Sequence, residues 1–228
     1  MKTSKRELTK GITLLCGFVV ILVLLFSPVF NGQRPINYFD DLYNSISKGS
    51  VYYIPKLISE VDRYKGKSVT APVGFLTKDQ AYEMVRVYES AGVKASVNEN
   101  DISVSGDLGG ILALSLRDAD NLFNNQGDKV FTRYQLDEKK VLYYWWLTLK
   151  GVEKKLTKEK RFEEAKYVNS VITRAVECSF NYYKVEPRQI STEVLFVVLS
   201  LLFYVVYTLW FGYAIMYIFI GLGLKLEH

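Results

Sequence analysis

The sequence predicts an α+β membrane protein in which two transmembrane helices flank a periplasmic ferredoxin-like (split βαβ) domain with a helical stalk. Three patterns predict this architecture. Residues 11–33 and 194–224 contain no Asp, Glu, Lys or Arg and are mostly apolar. Residues 68–134 change between strand-like and helix-like runs, and residues 135–189 have helical periodicity. The two ends of the chain are therefore assigned to the membrane and its middle to a folded domain.

Residues 11–30 are predicted to form the first transmembrane helix, because about 20 apolar residues rising about 1.5 Å each cross a bilayer core. The preceding residues 1–10 carry four Lys or Arg residues and one Glu, which keeps the N-terminus in the cytoplasm. Two spans return the C-terminus to the same side and place residues 31–189 in the periplasm or outside the cell. This topology predicts a bacterial inner membrane protein. Residues 26–30 lack a small-x-small cleavage pattern, which favours an anchor over a signal peptide.

Residues 31–67 are predicted to form membrane-proximal helices. The first covers residues 36–47, where apolar side chains recur every four residues, and Gly49 ends it. Pro55 fits the first turn of a second short helix that ends near Gly66.

Residues 68–134 contain the most regular pattern and are predicted to be a small α+β domain. Strand-like residues 68–73 precede a helix that begins at Thr77, which forms a capping box with Gln80, and ends at Gly92. A hairpin follows, with residues 98–101 as its turn, and Asp107 caps a second helix before a last strand at residues 130–132. The order of strand, helix, strand, strand, helix, strand is that of the ferredoxin-like fold.

Pro72 conflicts with a central first strand, because proline cannot donate a hydrogen bond to a neighbouring strand. Two explanations remain open at this point. Either the first strand ends before Pro72, or the sheet has only three strands.

The segment Ala81-Tyr82-Glu83-Met84-Val85-Arg86-Val87-Tyr88-Glu89-Ser90-Ala91-Gly92-Val93-Lys94-Ala95, followed by Ile102-Ser103-Val104, shows a pattern of helix, glycine and alternating strand. In this pattern, residues 68–134 resemble the ring-building modules of flagellar and secretion-system basal-body proteins. In that family a small α+β domain between membrane anchors packs side by side into rings. The resemblance therefore implies a homo-oligomer.

Residues 135–189 are predicted to form a helical stalk in two parts. Residues 141–147 are apolar on all sides of a helix, which indicates a buried core, an oligomer contact, the membrane interface or stacking against a ligand. In the second part, residues 159–183, a narrow apolar stripe is typical of helix pairing, and Pro187 bends or interrupts the helix beyond it. The predicted oligomer or interface contacts are Trp145, Trp146, Ala165, Val168, Ile172 and Ala175.

Residues 190–224 are predicted to form the second transmembrane helix, which is longer than one bilayer core and is expected to tilt. Its aromatic, hydroxyl and small residues suit contacts between helices or the lining of a pore. The predicted pore or helix-contact residues are Ser200, Tyr204, Thr208 and Gly212. Residues 225–228 form the C-terminus and end in Leu-Glu-His, which is typical of a truncated expression tag.

Composition argues against most catalytic chemistry. His228 is the only histidine, so catalysis or metal binding that requires histidine is not expected within one chain. Cys16 and Cys178 fall in different parts of the predicted fold, and no basic stripe with interleaved aromatic residues indicates nucleic-acid binding. We therefore predict no enzyme, no cofactor, no metal and no nucleic-acid partner.

Two functions are consistent with these patterns. The first is a non-catalytic integral membrane protein that acts through its periplasmic domain as an oligomeric scaffold or complex subunit. Its predicted partners are the lipid bilayer and either copies of itself or other subunits of a membrane complex. The alternative is a subunit of a homo-oligomeric channel whose pore is lined by the second transmembrane helix.

Overall fold

The computed structural model describes residues 4–29, 32–75, 77–99 and 101–224 and divides the chain into two compact units. The first unit contains residues 1–47 and 187–228, and the second contains residues 48–186. The predicted tag remnant at residues 225–228 lies outside the described residues, as does Asn100 in the predicted hairpin turn.

The first unit is built on an antiparallel pair of long helices, α1 (Lys5–Phe26) and α10 (Ile190–Leu222). Both are long and apolar enough to cross a membrane, each with a mean hydropathy of 2.4. None of the most apolar window of α10 is buried inside the protein. Exposed apolar helices of this kind are consistent with membrane insertion, because a large apolar surface in water is unfavourable.

Small residues allow α1 and α10 to approach closely. A Cβ added at Gly11 would lie 2.6 Å from the backbone nitrogen of Ile218, and one added at Gly221 would lie 2.5 Å from the Leu8 backbone. The Trp210 indole donates a hydrogen bond to the Leu14 carbonyl at 2.9 Å. Close backbone approach and side-chain hydrogen bonds of this type stabilise helix pairs in lipid.

Helix α2 (Pro35–Ser50) begins in the first unit and extends past Gly49, where the sequence predicted its end. It is followed by α3 (Ile54–Glu60), with Pro55 in its first turn as predicted, and by a 3₁₀ turn at Val61–Tyr64. Gly66 then adopts a φ of 78°, a left-handed conformation that glycine adopts readily.

The second unit contains a three-stranded antiparallel sheet in the order β1-β3-β2. The strands are β1 (Ser68–Gly74), β2 (Lys94–Val97) and β3 (Asp101–Asp107). In the register of the sheet, Ser68 lies opposite Asp107, and Lys94 lies opposite Ser105. Strand β1 is an edge strand, and this position accommodates Pro72, because the nitrogen of a residue at a sheet edge can face away from the ladder.

The predicted fourth strand is wrong: residues 130–132 lie in helix α6 (Gly127–Tyr134). Val130 and Tyr134, four residues apart, are both buried on one face of this helix. The β-branched residues in the segment therefore form a helix whose apolar face packs into the domain. The sheet of the described residues has three strands, which is the second of the two explanations for Pro72.

Helix starts follow the predicted local chemistry. The Thr77 hydroxyl accepts a hydrogen bond from the Gln80 amide at 3.1 Å and begins α4 (Lys78–Ser90). The Asp107 carboxylate accepts hydrogen bonds from the amides of Gly110 at 2.7 Å and Gly66 at 2.5 Å, and it begins α5 (Leu108–Phe123). Each cap satisfies amides that a helix N-terminus leaves unpaired.

The segment predicted as a stalk packs into the core of the second unit. It contains α7 (Glu138–Lys158) and α8 (Phe162–Val171), a π-helical turn at Ile172–Val176, and α9 (Glu177–Tyr182). The predicted apolar stripe runs from Phe162 to Ser179. Phe162 is exposed, whereas the stripe from Ala165 onward is buried against α7 and the rest of the core. Helix α9 ends at Tyr182 and α10 begins at Ile190, so the predicted interruption around Pro187 is confirmed.

Candidate partner-binding groove

A surface groove lies between α7 and α9 in the second unit and encloses a cavity of about 240 Å³. Leu142 and Val176 form its floor, and both are almost fully buried. The side chains around this floor are aromatic or polar and partly exposed: Tyr143, Trp146, Glu177, Phe180 and Asn181. The groove therefore combines a solid apolar base with accessible rings and hydrogen-bonding groups.

Helical spacing explains which residues of α7 reach the groove. One side of the helix carries Leu142, Tyr143 and Trp146, because Trp146 follows Leu142 by four positions and Tyr143 by three. Val141, Trp145 and Leu149 lie on another side and are completely buried. The apolar run at residues 141–147 therefore serves both the core and the groove.

The π-helical turn sets which side of α9 faces α7. The Glu177 amide donates its hydrogen bond to the Ile172 carbonyl, five residues back, instead of four residues back as in an α-helix. One extra residue in the turn rotates all following positions by about 100° around the helix axis. Glu177, Phe180 and Asn181 thereby reach the groove.

A hydrogen bond joins the two helices inside the groove. The Trp146 indole nitrogen donates to Glu177 Oε1 at 2.8 Å. The rings of Tyr143 and Trp146 are nearly parallel, with 6.0 Å between their centroids and 13° between their planes. Lys139 places its ammonium 4.8 Å from the centroid of the Phe180 ring. Aromatic faces, a carboxylate and a nearby cation therefore lie within one small region.

A second cluster joins the two ends of the second unit. Lys48 is 2% exposed, and its ammonium donates to the Val185 carbonyl at 2.6 Å and the Tyr182 carbonyl at 3.0 Å. It also donates to Asn125 Oδ1 at 3.0 Å. Burial lowers the pKa of Lys48, while the carboxylate of Glu186 opposes that shift. The points where the chain enters and leaves the domain are thus held together by one buried cation.

The structure places most predicted contact residues in the core. Trp145, Val168, Ile172 and Ala175 are completely buried, and Ala165 is 7% exposed, so these side chains offer no surface to a partner. Trp146 is half-buried and lies in the groove. It is the member of the predicted set that reaches accessible surface.

The four predicted residues of the second transmembrane helix have different surroundings. Ser200 hydrogen-bonds the Tyr43 hydroxyl at 2.5 Å. Tyr204 and Thr208 are exposed, and the Thr208 hydroxyl donates to the Tyr204 carbonyl at 2.8 Å. Gly212 is exposed as well, and a Cβ added there would meet no described atom within 4 Å. Three of the four predicted positions, Tyr204, Thr208 and Gly212, are therefore exposed on the surface of α10.

No protein family, curated protein or solved structure matches this sequence or fold significantly.

Sequence reasoning missed Glu177, Phe180 and Asn181 of the groove, and also Lys48 and Asp118. Asp118 had a readable signal: it lies three residues after Ser115 and four before Leu122, on the apolar face of α5. The groove residues of α9 had no such signal in the sequence, because the π-helical turn determines which side of α9 faces the groove. The position of that turn is set by packing against α7 and cannot be read from residue spacing.

Proposed function

We propose that this chain is a non-catalytic, membrane-anchored assembly subunit that works as an oligomeric scaffold or complex subunit. Helices α1 and α10 anchor it in an inner membrane with both termini in the cytoplasm, and residues 48–186 form the partner-binding domain on the other side. The apolar exposure of the two helices supports the anchor, because lipid is the environment in which such surfaces are stable.

A relationship to ferredoxin-like ring-building modules belongs to this proposal. Strands β1–β3 with helices α4 and α5 follow the order strand, helix, strand, strand, helix, which gives the first five elements of the split βαβ arrangement. Helix α6 stands where the sixth element would be a strand. Five elements in the expected order support side-by-side assembly as the mode of oligomerisation.

The groove between α7 and α9 is the observation that carries the proposal. Protein interfaces are enriched in accessible aromatic residues that surround a well-packed centre, and single aromatic residues can dominate binding. Tyr143, Trp146 and Phe180 have this arrangement over the buried floor of Leu142 and Val176. The half-buried Trp146 is the expected anchor of the interface.

Native mass spectrometry of the full chain in nanodiscs tests the proposal. The expected result is a discrete particle heavier than one chain, which dissociates when Trp146→Ala removes the central ring. Tyr82→Ala is the matched control, since Tyr82 is 70% exposed on α4, away from the groove. A wild-type chain that remains a monomer would exclude the oligomeric scaffold and leave only the subunit of a complex with other proteins. Equal dissociation by both variants would contradict the role of the groove in assembly.

A homo-oligomeric channel is the second candidate. It is favoured by the uncovered positions of Tyr204, Thr208 and Gly212, which other copies of α10 could enclose around a pore. Planar-bilayer recording tests it: Thr208→Asp should change conductance or ion selectivity, because charge in a pore lining alters both. An unchanged current from a correctly folded Thr208→Asp protein would exclude α10 as the pore lining.

A further inference from the structure

We infer that the groove between α7 and α9 binds the guanidinium group of an arginine side chain presented by a partner protein. The inference rests on the proposed function and deepens it by naming the chemistry of the contact. It follows from the charge of the groove, from its aromatic walls and from its size.

Glu177 supplies the charge. Its carboxylate accepts one hydrogen bond, from the Trp146 indole at 2.8 Å, and no salt bridge among the described residues uses it. An ionised carboxylate can accept about four hydrogen bonds. Glu177 therefore keeps acceptor capacity and negative charge for a cation that enters the groove.

The aromatic walls favour the same kind of ligand. The faces of aromatic rings attract cations, and Arg stacks on such faces more often than Lys does. Lys139 lies 4.8 Å from the centre of the Phe180 ring and already occupies that ring, so a cation from a partner would stack on the other aromatic residues. Tyr143 and Trp146 offer two further ring surfaces that no described cation covers.

The polar groups distinguish a guanidinium from a quaternary ammonium. Asn181 lies beside Glu177 in the groove lining, and no described hydrogen bond uses its side chain, so both residues can present oxygen acceptors. A guanidinium has five N–H donors in a planar fork and can bond acceptors while it stacks on a ring. A quaternary ammonium has no donors and would form no hydrogen bond with these acceptors.

The size of the groove indicates a side chain rather than a whole metabolite. Its volume of about 240 Å³ is below the roughly 300–1,000 Å³ typical of small-molecule sites. Its open shape allows a side chain to enter while the rest of the partner stays on the surface. The ligand is thus an arginine within a protein segment.

Fluorine NMR of the full chain in nanodiscs tests this inference. Tryptophan replaced by 5-fluorotryptophan gives separate signals for Trp145, Trp146 and Trp210, and Trp146→Phe assigns the signal of the groove. Titration with N-acetyl-arginine amide into the millimolar range should shift the Trp146 signal saturably. The signals of buried Trp145 and membrane-embedded Trp210 should stay in place.

Variants and analogues test the role of charge. Glu177→Gln keeps an oxygen that can accept the Trp146 hydrogen bond but removes the charge, so the dissociation constant should rise at least tenfold. Glu163→Gln, at an exposed position of α8, is the matched control and should bind as the wild type does. The neutral citrulline analogue should cause at most a tenth of the shift caused by arginine.

Two results would overturn the inference. One is a Trp146 signal that does not respond to N-acetyl-arginine amide. The other is equal binding of tetramethylammonium, which would show a site for quaternary ammonium headgroups instead. Both results are independent of particle mass, so a failed arginine site and a failed assembly function can be told apart.

Discussion

Replacing Asp118 with alanine should strongly destabilise the second unit. Asp118 is completely buried on α5, and its Oδ2 accepts hydrogen bonds from the Tyr134 hydroxyl at 2.6 Å and the Trp145 indole at 2.9 Å. Its Oδ1 accepts a hydrogen bond from the Arg133 guanidinium, and the Arg117 Nε lies 3.5 Å from the same oxygen. One carboxylate therefore connects helices α5, α6 and α7.

The cost can be worked out from the groups that lose their partner. The Tyr134 hydroxyl and the Trp145 N–H would be buried without an acceptor, at about 1–3 kcal/mol each. Arg133 is partly exposed, so water would solvate its charge and it adds little. We expect a loss of about 3–5 kcal/mol in the free energy of unfolding, in line with the loss of one member of a buried ionic network.

Urea unfolding of the nanodisc-embedded chain, followed by near-ultraviolet circular dichroism, measures this loss. With a slope of about 2 kcal/mol per molar urea, the midpoint should fall by about 2 M. Asp120→Ala is the control, because Asp120 lies two residues further along α5 and its partners Tyr52 and Asn124 are exposed. The control should lose less than about 1 kcal/mol.

A second substitution tests the cause of the destabilisation. Adding Trp145→Phe to Asp118→Ala removes the unpaired indole N–H, so the double variant should recover part of the loss relative to the additive expectation. Strictly additive effects, or a loss for Asp118→Ala as small as that for Asp120→Ala, would refute the reasoning.

Three further predictions follow from other contacts. Gly11→Leu should increase the distance between α1 and α10, because a Cβ at this position meets the Ile218 backbone. Gly212→Leu, where a Cβ meets no described atom, should leave the distance unchanged. Spin-label distances between the two helices measure this, and an equal increase in both variants would contradict the prediction. Lys48→Met should raise hydrogen exchange at residues 183–186 about tenfold, because it removes the donor to the Tyr182 and Val185 carbonyls that holds this segment. Lys56→Met, at an exposed position, should have no such effect. The second unit should lose stability as pH rises above about 10. Burial raises the pKa of several tyrosines in the folded chain, so these tyrosines lose their protons at lower pH in the unfolded chain, and high pH favours unfolding. Burial lowers the pKa of Lys48, which opposes this loss of stability only in part. Tyrosinate absorbance that reaches the value for ionisation of all tyrosines before circular dichroism is lost would contradict the last prediction. The tyrosines concerned are Tyr88, Tyr134, Tyr144 and Tyr167.

Features that depend on local chemistry could be predicted from the sequence. The caps at Thr77 and Asp107 follow from a side chain that reaches an amide three residues ahead. The two apolar helices follow from uninterrupted hydrophobic composition. The break before α10 follows from Pro187, since proline cannot continue a helix interior. Each signal lies within a few residues or one element.

The remaining features were decided by tertiary structure. Residues 130–132 have strand-forming side chains, but burial of Val130 and Tyr134 and the bond from Tyr134 to Asp118 accompany a helix there. Burial in the core also explains why the predicted stalk is part of the second unit, because an apolar stripe is equally suited to a core and to a partner helix.

The sequence by itself determined the two membrane-capable ends and the helix starts. Pro72 left two arrangements of the first strand open, and the structure decided that this strand lies at the edge of a three-stranded sheet. Only the tertiary structure decided that Trp145 is buried while Trp146 reaches a groove, and that Glu177 lies opposite Trp146. The physical reason is that residue spacing fixes which side chains share a face of a helix. Which face meets the core, and where a π-helical turn rotates it, depends on long-range packing.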